Sequence, residues 1–499
     1  MGMPNTMVLK HSPNFLYIAT IAATSLGFVV VQLDVSIVNV ALNKIGSALS
    51  MGIGGLQWVV DAYTLSFASL LLAGGALGDR IGARSVFVGG MVLFSIASLV
   101  CGLAQGAWLL IAARAVQGAG AALLMPCSLA LLNRAYASDK ARRARAVGLW
   151  TAAGGIALSA GPVLGGVMVA SLGWASIFLV NLPIGALAIW MAYRFLQETP
   201  LKDEKPPIDW AGQGLVVLTL FALTGAFIAA GSTGWTSPLV IGGLAVAIVA
   251  GSVFLLVESR AKAPMFPLDL FVRRVPAVTS LVGLAVNLAL YGTIFMLSLY
   301  FQQERHYSPQ QTGLAFLPFM AAVTVSNVVA GRIAGKYGAR LPMAIGLSIG
   351  AAGFGFMALI QADTSYMSLL WRLLFLPIGI GLAVPAMTTA LLSSVPTAVS
   401  GTASGMLNTV RQSGGAIGVA LFGSALALGT IDGMRLAFLA SALAVAGAAI
   451  CAFVFIRDRS FCRWIAMSSE KAARRRPLLM KLRCGSYAVR RPSPCPPVP

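Results

Sequence analysis

Charge is what this chain has least of. Charged residues fill 10% of its 499 positions, and 15 aspartates and glutamates stand against 35 lysines and arginines. An ordinary soluble domain carries about 25% charge, so a surface built for water is excluded. Histidine occurs twice, at His11 and His306, both outside the long apolar runs, so no H-E-x-x-H zinc site forms and a membrane-embedded metalloenzyme is disfavoured. No G-x-x-x-x-G-K-[ST] phosphate loop occurs either. GKY at 335–337 lacks the upstream glycine and the hydroxyl, which argues against an ATP-driven pump. The 6 cysteines show neither a disulfide framework nor a zinc-site spacing. No metal, no cofactor and no enzymatic activity is expected.

What remains is apolar. With 58% hydrophobic residues and a mean hydropathy of +0.85, the composition is that of an all-α polytopic membrane protein. A spanning helix needs about 20 mostly apolar residues. Runs of that length lie near 15–41, 56–77, 85–104, 107–132, 146–170, 174–195, 209–230, 238–257, 275–301, 311–334, 341–361, 367–392, 402–428 and 434–456. The first run is long enough to tilt or to begin outside the membrane. It lacks a small-residue cleavage site and contains Asp34, so it is expected to stay as the first span rather than be removed as a signal.

The net charge of +20 invites a nucleic-acid partner, but its distribution argues against one. Bases cluster in alternate loops: Arg80 and Arg84, then 134–145, 194–205, 260–274 and 332–340, while the intervening loops hold little beyond Lys44, Arg305 and Arg435. By the positive-inside rule the basic loops are cytoplasmic, and an even number of spans places both termini there too. The loop at 393–401 contributes no base. From Arg457 onward the sequence is basic and finally proline-rich, which reads as a disordered tail able to touch anionic lipid.

Asp34 and Arg114 fall inside apolar runs, where a charge is unfavourable by about 2.5 to 3.5 kcal/mol even on lenient scales. Such groups face a bundle interior or a watery cavity. Around them lie LDVSIVNVAL at 33–42 and LIAARAVQGAGAA at 110–122, followed by SAGPVLGG at 159–166 and GTASGMLNTVRQSGGAIGVA at 401–420. GALGDRIGAR at 75–84 and GRIAGKYGAR at 331–340 share glycines and bases at matching offsets, so the chain looks duplicated. If they correspond, each lies between the second and third spans of a six-span half, and two spare spans separate the halves. The expected layout is 1–14 cytoplasmic, 15–195 and 275–456 six-helix bundles, 196–274 two added spans with linkers, and 457–499 the tail.

With these motifs the chain resembles the major facilitator superfamily, and within it the fourteen-span drug:proton antiporter family, over about residues 15–456. The resemblance implies two bundles rocking about a central site, the major facilitator fold. Asp34 would then carry the proton and Arg114 would tune its hold. Burial favours the neutral acid and an approaching arginine favours the charged one. At an effective dielectric of about 20, unit charges 4 Å apart interact by about 4 kcal/mol. Alternatively, Arg114 ties two helices together through a buried hydrogen-bond network, and both roles can coexist. Asp61 is a second proton-coupling candidate or an interfacial cap.

Gly75, Asp79, Arg80 and Arg84, with Gly78 and Gly82, match a cytoplasmic gate. The glycines permit a tight turn, while Asp79 would cap the next helix or pair with a base. Gly335 replaces the aspartate in the second copy, so a latch would be one-sided. Gly161, Pro162, Gly165 and Gly166 match the signature associated with antiport and would form a packing hinge, or serve generic small-residue packing. Ala175 and Ser176 depart from the family, in which an arginine and an aromatic residue usually stand there.

A tentative substrate pocket comprises Asn39, Tyr63, Gln117, Tyr291, Asn408 and Arg411, with Phe28 and Phe295 available for stacking. The second half offers cationic and amide groups, including Arg372 and Gln412, but no convincing embedded carboxylate. A dication fits poorly; a neutral, weakly acidic or monocationic amphipath fits better. The expected function is proton-coupled export of amphipathic drugs or toxic small molecules across the cytoplasmic membrane, the partners being substrate, protons and the lipid bilayer. A dedicated exporter of one metabolite or antibiotic, and a non-transporting sensor, are the alternatives.

Overall fold

A bilayer supplies no hydrogen-bond partners, so a spanning backbone must satisfy itself within helices or a closed barrel. The computed structural model describes residues 13–456 except 138, 199–208, 262, 263, 265, 267, 362, 397 and 398. Most of the expected N-terminal segment and all of the basic tail lie outside the described residues. Every regular element among the described residues is helical.

The first bundle runs α1 (Pro13–Leu49), α2 (Ile53–Ile81), α3 (Ala83–Gly102), α4 (Ala107–Ala135), α5 (Lys140–Leu172) and α6 (Ser176–Phe195). Then come α7 (Trp210–Thr233) and α8 (Pro238–Arg260). The remainder is α9 (Arg274–Leu299), α10 (Pro309–Tyr337), α11 (Arg340–Met357), α12 (Tyr366–Ser394), α13 (Ser400–Ala425) and α14 (Thr430–Phe455). Among the described residues 13 helices are long and apolar enough to cross a membrane. The one short of that standard is α13, which has 26 residues but is rich in glycine, serine and threonine. Its small residues are buried against neighbouring helices rather than offered to lipid.

Helices overrun the apolar stretches that announce them. At 37 residues, α1 is about 55 Å long, well beyond a hydrocarbon core of about 30 Å. Polar residues fix several starts: Asp139 accepts from the backbone of Ala141 and Arg142 at the head of α5, and Ser308 with Gln311 forms a capping box on α10.

Three pairings dominate the first bundle: α1 with α5, and α2 and α3 with α4. In the last six helices α9 packs on α13, and α12 on α10 and α11. Two seams join these groups, α5 against α10 and α2 against α13. The α7–α8 pair leans on the second seam from outside, α7 touching both α2 and α13. Its most apolar windows are only 22% and 17% buried, against 72% for α2, so these two helices lie at the periphery.

Candidate functional site

Five spans converge on Asp34. Its Oδ2 accepts from Arg114 Nη1 at 2.5 Å, and its Oδ1 accepts from Gln117 Nε2 at 2.9 Å and Asn181 Nδ2 at 3.2 Å. Both charged side chains are essentially sealed, at 0% and 1% exposure. Arg114 is held independently of the acid as well. Its Nε donates to the Val59 carbonyl at 3.0 Å, its Nη1 to Gln117 Oε1 at 2.6 Å, and its guanidinium lies 4.3 Å from the Tyr63 ring centroid. Ser98 Oγ closes the far side by accepting from Gln117 at 2.7 Å and Asn181 at 3.2 Å. Isolated charges in such a place are prohibitive, whereas a paired and fully hydrogen-bonded one is tolerated.

Asp61 presents the opposite case. It lies eight residues inside α2, fully buried, and neither carboxyl oxygen has a hydrogen-bond partner among the described residues. The helix start belongs to Gly52, so the interfacial-cap alternative for Asp61 does not hold. One turn earlier on α2, Gln57 donates to the carbonyls of Val419 and Ala420 on α13 at 3.1 and 2.7 Å.

The 159–166 segment lies where α5 meets both α1 and α10. A Cβ on Gly161 would sit 1.8 Å from Ser36 Oγ, one on Gly165 would meet Ile37, and one on Gly166 would meet the Pro309 carbonyl. The Pro162 carbonyl in turn approaches Gly313 of α10, where a Cβ would be 2.3 Å away. Ser159 and Thr324 hydroxyls bond across the same seam at 2.9 Å. Residues 34–39 of α1 thus touch α4 through Asp34, α5 through Ser36 and Ile37, and α9 through the Asn39 carbonyl, which accepts from Ser298.

A cavity of about 810 Å³ opens between the two groups of helices at the end bearing the basic loops. Leu72, Met125 and Leu129 line one wall and Ser404, Gly405 and Asn408 the other, with Gly75 and Asp79 at the mouth. Asp79 is exposed and does not cap α3. That position belongs to Gly82, whose φ of 102° suits glycine and leaves no side chain to cap with. The gate loop is instead tied to the end of α6 and the residues just beyond it. Arg84 donates to the Tyr193 carbonyl at 3.3 Å and Ser85 to Glu198 Oε2 at 3.3 Å. Arg80 is half-buried beside it.

The expected pocket residues separate into three places. Tyr63 and Gln117 belong to the charge cluster. Asn39 is buried, with its amide on the Val35 carbonyl of its own helix. Of the six, Asn408 lines the cavity, Arg411 stands behind it with Nη1 3.4 Å from its Oδ1, and Tyr291 packs on α13 at Gly415. The six lie on five different helices, so which of them meet depends on how those helices rotate and pack, which residue order does not state. Ser98 and Asn181 were missed. Asn181 had a signal, an amide inside the apolar segment 173–185, whereas a serine in a span has none. Phe28 stacks on Trp150, centroids 4.0 Å apart, and Phe295 is core.

Comparison with known proteins decides the family. The family model described as the Major Facilitator Superfamily matches residues 24–419. The chain belongs to the major facilitator superfamily. It is 37% identical over 457 residues to a methylenomycin A resistance protein of Bacillus subtilis, covering 91% of this chain and 97% of that one. A methylenomycin A resistance protein of Streptomyces coelicolor is 41% identical over 85% of this chain and 89% of its own. The multidrug resistance protein Stp of Mycobacterium tuberculosis is 37% identical over 83% of this chain and 76% of its own. As a superfamily member with 13 helices apolar enough to span among the described residues, the chain is a multi-pass membrane transporter.

Proposed function

We propose that this transporter is a proton-coupled antiporter that exports amphipathic drugs or toxic small molecules across the cytoplasmic membrane, with Asp34 as proton carrier. The sealed Asp34–Arg114 pair carries the reading. Protonating Asp34 removes the charge that Arg114 answers, while Val59, Gln117 and Tyr63 still hold the guanidinium. The pair is therefore a two-position switch that needs no rearrangement of α4. Because the same turn and a half of α1 touches α5, which forms one seam with α10, and reaches α9 across the two halves, a proton arriving at Asp34 acts next to the surfaces where the halves must part.

The bundles are read as 15–195 and 275–456, with 196–274 carrying the two added spans. Both termini are read as cytoplasmic, which makes the open cavity face the cytoplasm. In that state Gly161, Pro162, Gly165 and Gly166 close the outer side against α1 and α10. Gly75, Asp79, Arg80 and Arg84 mark the open gate, and Asp61 is a second proton-coupling group whose buried carboxyl is tolerated when neutral. A potential of roughly 100 to 150 mV contributes about 2.3 to 3.5 kcal/mol per proton, enough for an expulsion of about 40- to 400-fold of a neutral compound.

The test is transport in inside-out vesicles under an imposed pH gradient. Substrate-induced proton release is expected in wild type and absent in Asp34→Asn; undiminished coupling in that variant rejects the assignment. Similarity to the two methylenomycin A resistance proteins over most of the chain favours a second reading, a dedicated exporter of one antibiotic. A panel of structurally unrelated compounds in the same vesicles separates the two.

A further inference from the structure

The C-terminal half holds a cation that the proton cycle does not use. Arg411 lies within α13, and no acidic side chain pairs with it among the described residues. Its one side-chain hydrogen bond among the described residues, to Asn408 Oδ1, is 3.4 Å long, beyond the usual range for a good N–H···O bond. Its Nε is buried and has no hydrogen-bond partner among the described residues.

Space has been cleared for this group. A Cβ on Gly283 of α9 would fall 2.9 Å from Arg411 Cγ, and one on Gly415 would fall 3.0 Å from the Tyr291 ring. Gly283, Asn287 and Tyr291 recur every four residues and so form one stripe of α9, facing α13, its chief packing partner. The Tyr291 ring lies against Gly415, one turn beyond Arg411 on α13. In front of them stands Asn408, a wall residue of the 810 Å³ cavity whose opposite wall carries the apolar Leu72, Met125 and Leu129, with Asn133, Asp79 and Asp209 also in the lining.

We propose that Arg411, Asn408 and Tyr291 form a carboxylate-recognition subsite, and that the preferred substrates are amphipaths with an apolar body and a single negative charge. The assignment deepens the export reading and rests on it. A half-buried guanidinium with a buried Nε and no counter-charge among the described residues is short of partners, and a substrate carboxylate supplies that charge with planar, charge-assisted hydrogen bonds. A cationic substrate meets repulsion at the same point. Export of an anion in exchange for an entering proton lets the membrane potential act on both.

The full-length protein is placed in phosphatidylcholine nanodiscs, which offer no net-anionic headgroup. At pH 7 it is titrated with pyrenebutyric acid and with the corresponding primary amide, read by energy transfer from tryptophan. Wild type is expected to bind the acid about ten- to a hundredfold more tightly than the amide. Arg411→Gln should erase that preference by weakening acid binding alone, with Arg411→Lys restoring part of it. Should Arg411→Gln fail to fold, Tyr291→Phe carries the test, with a smaller loss confined to the acid. Equal affinities in wild type, or an acid preference that survives Arg411→Gln, overturn the subsite. Binding needs no gradient. Proton-coupled export without acid preference removes the subsite and leaves the antiporter, whereas Arg411-dependent acid binding without any export does the reverse.

Discussion

Two arginines inside the helix bundle, one in each half, live under opposite conditions: Arg114 is sealed and Arg411 is half-buried. Arg114 has an acid, an amide, a carbonyl and an aromatic face around it; Arg411 has one long amide contact and a bare Nε. A saturated ion pair in low dielectric responds to a proton, because one proton cancels the interaction that holds it. An unsaturated cation responds to an anion, because only a ligand can complete it. On the proposals made above, the difference places energy coupling in the first half and recognition in the second.

The harshest way to break that contrast is Arg114→Ala. It strands Asp34 among two amides with no cation, and loss of a partner from a buried pair is destabilising by about 3 to 5 kcal/mol. Thermal unfolding in detergent should fall sharply and substrate-induced proton release should vanish. A variant that melts like wild type would mean that Arg114 and Arg411 are equivalent after all.

Next in size is Gly161→Val. With no room beside Ser36 Oγ, overpacking should destabilise by about 1 to 3 kcal/mol and slow export, while the same change at Gly155, which faces open space, should do little. Removing the amide hub in Gln117→Leu leaves Asp34 Oδ1 with Asn181 alone and is expected to lower stability by about 1 to 3 kcal/mol. Its proton release should shift in pH rather than disappear, which a pH series in vesicles would read. Gln57→Ala removes two bonds to α13, worth about 0.5 to 1.5 kcal/mol each. Distances between spin labels on the outer ends of α2 and α13 should lengthen; an unchanged distribution would free that seam from any gating role. The smallest effect belongs to Ser85→Ala on the exposed gate loop, within about 0.5 kcal/mol of wild type.

Much of the architecture was written in the order of residues. The apolar runs marked the spans because a helix crossing hydrocarbon has no alternative to apolar side chains, and even α13, short of the hydropathy standard, was recognisable from the company its small residues keep. Helix ends were misjudged, most of all in α1, whose described helix begins at Pro13 and continues to Leu49. Hydropathy reports where lipid begins, not where hydrogen bonding along the backbone stops.

Asp34 and Arg114 could be singled out one by one, since each alone is expensive in a membrane. That they meet 2.5 Å apart, with Ser98 and Asn181 completing the shell, could not be read from positions up to 147 residues apart. Nor could the sorting of Tyr63, Gln117, Asn39 and Asn408 into separate interfaces. Covalent order sets composition along each helix, and composition against lipid sets which segments span; which face of a span meets which neighbour depends on the rotation and crossing of fourteen helices packed together. Partner choice, and with it the contrast between a paired Arg114 and an Arg411 without an acid beside it among the described residues, was decided only there.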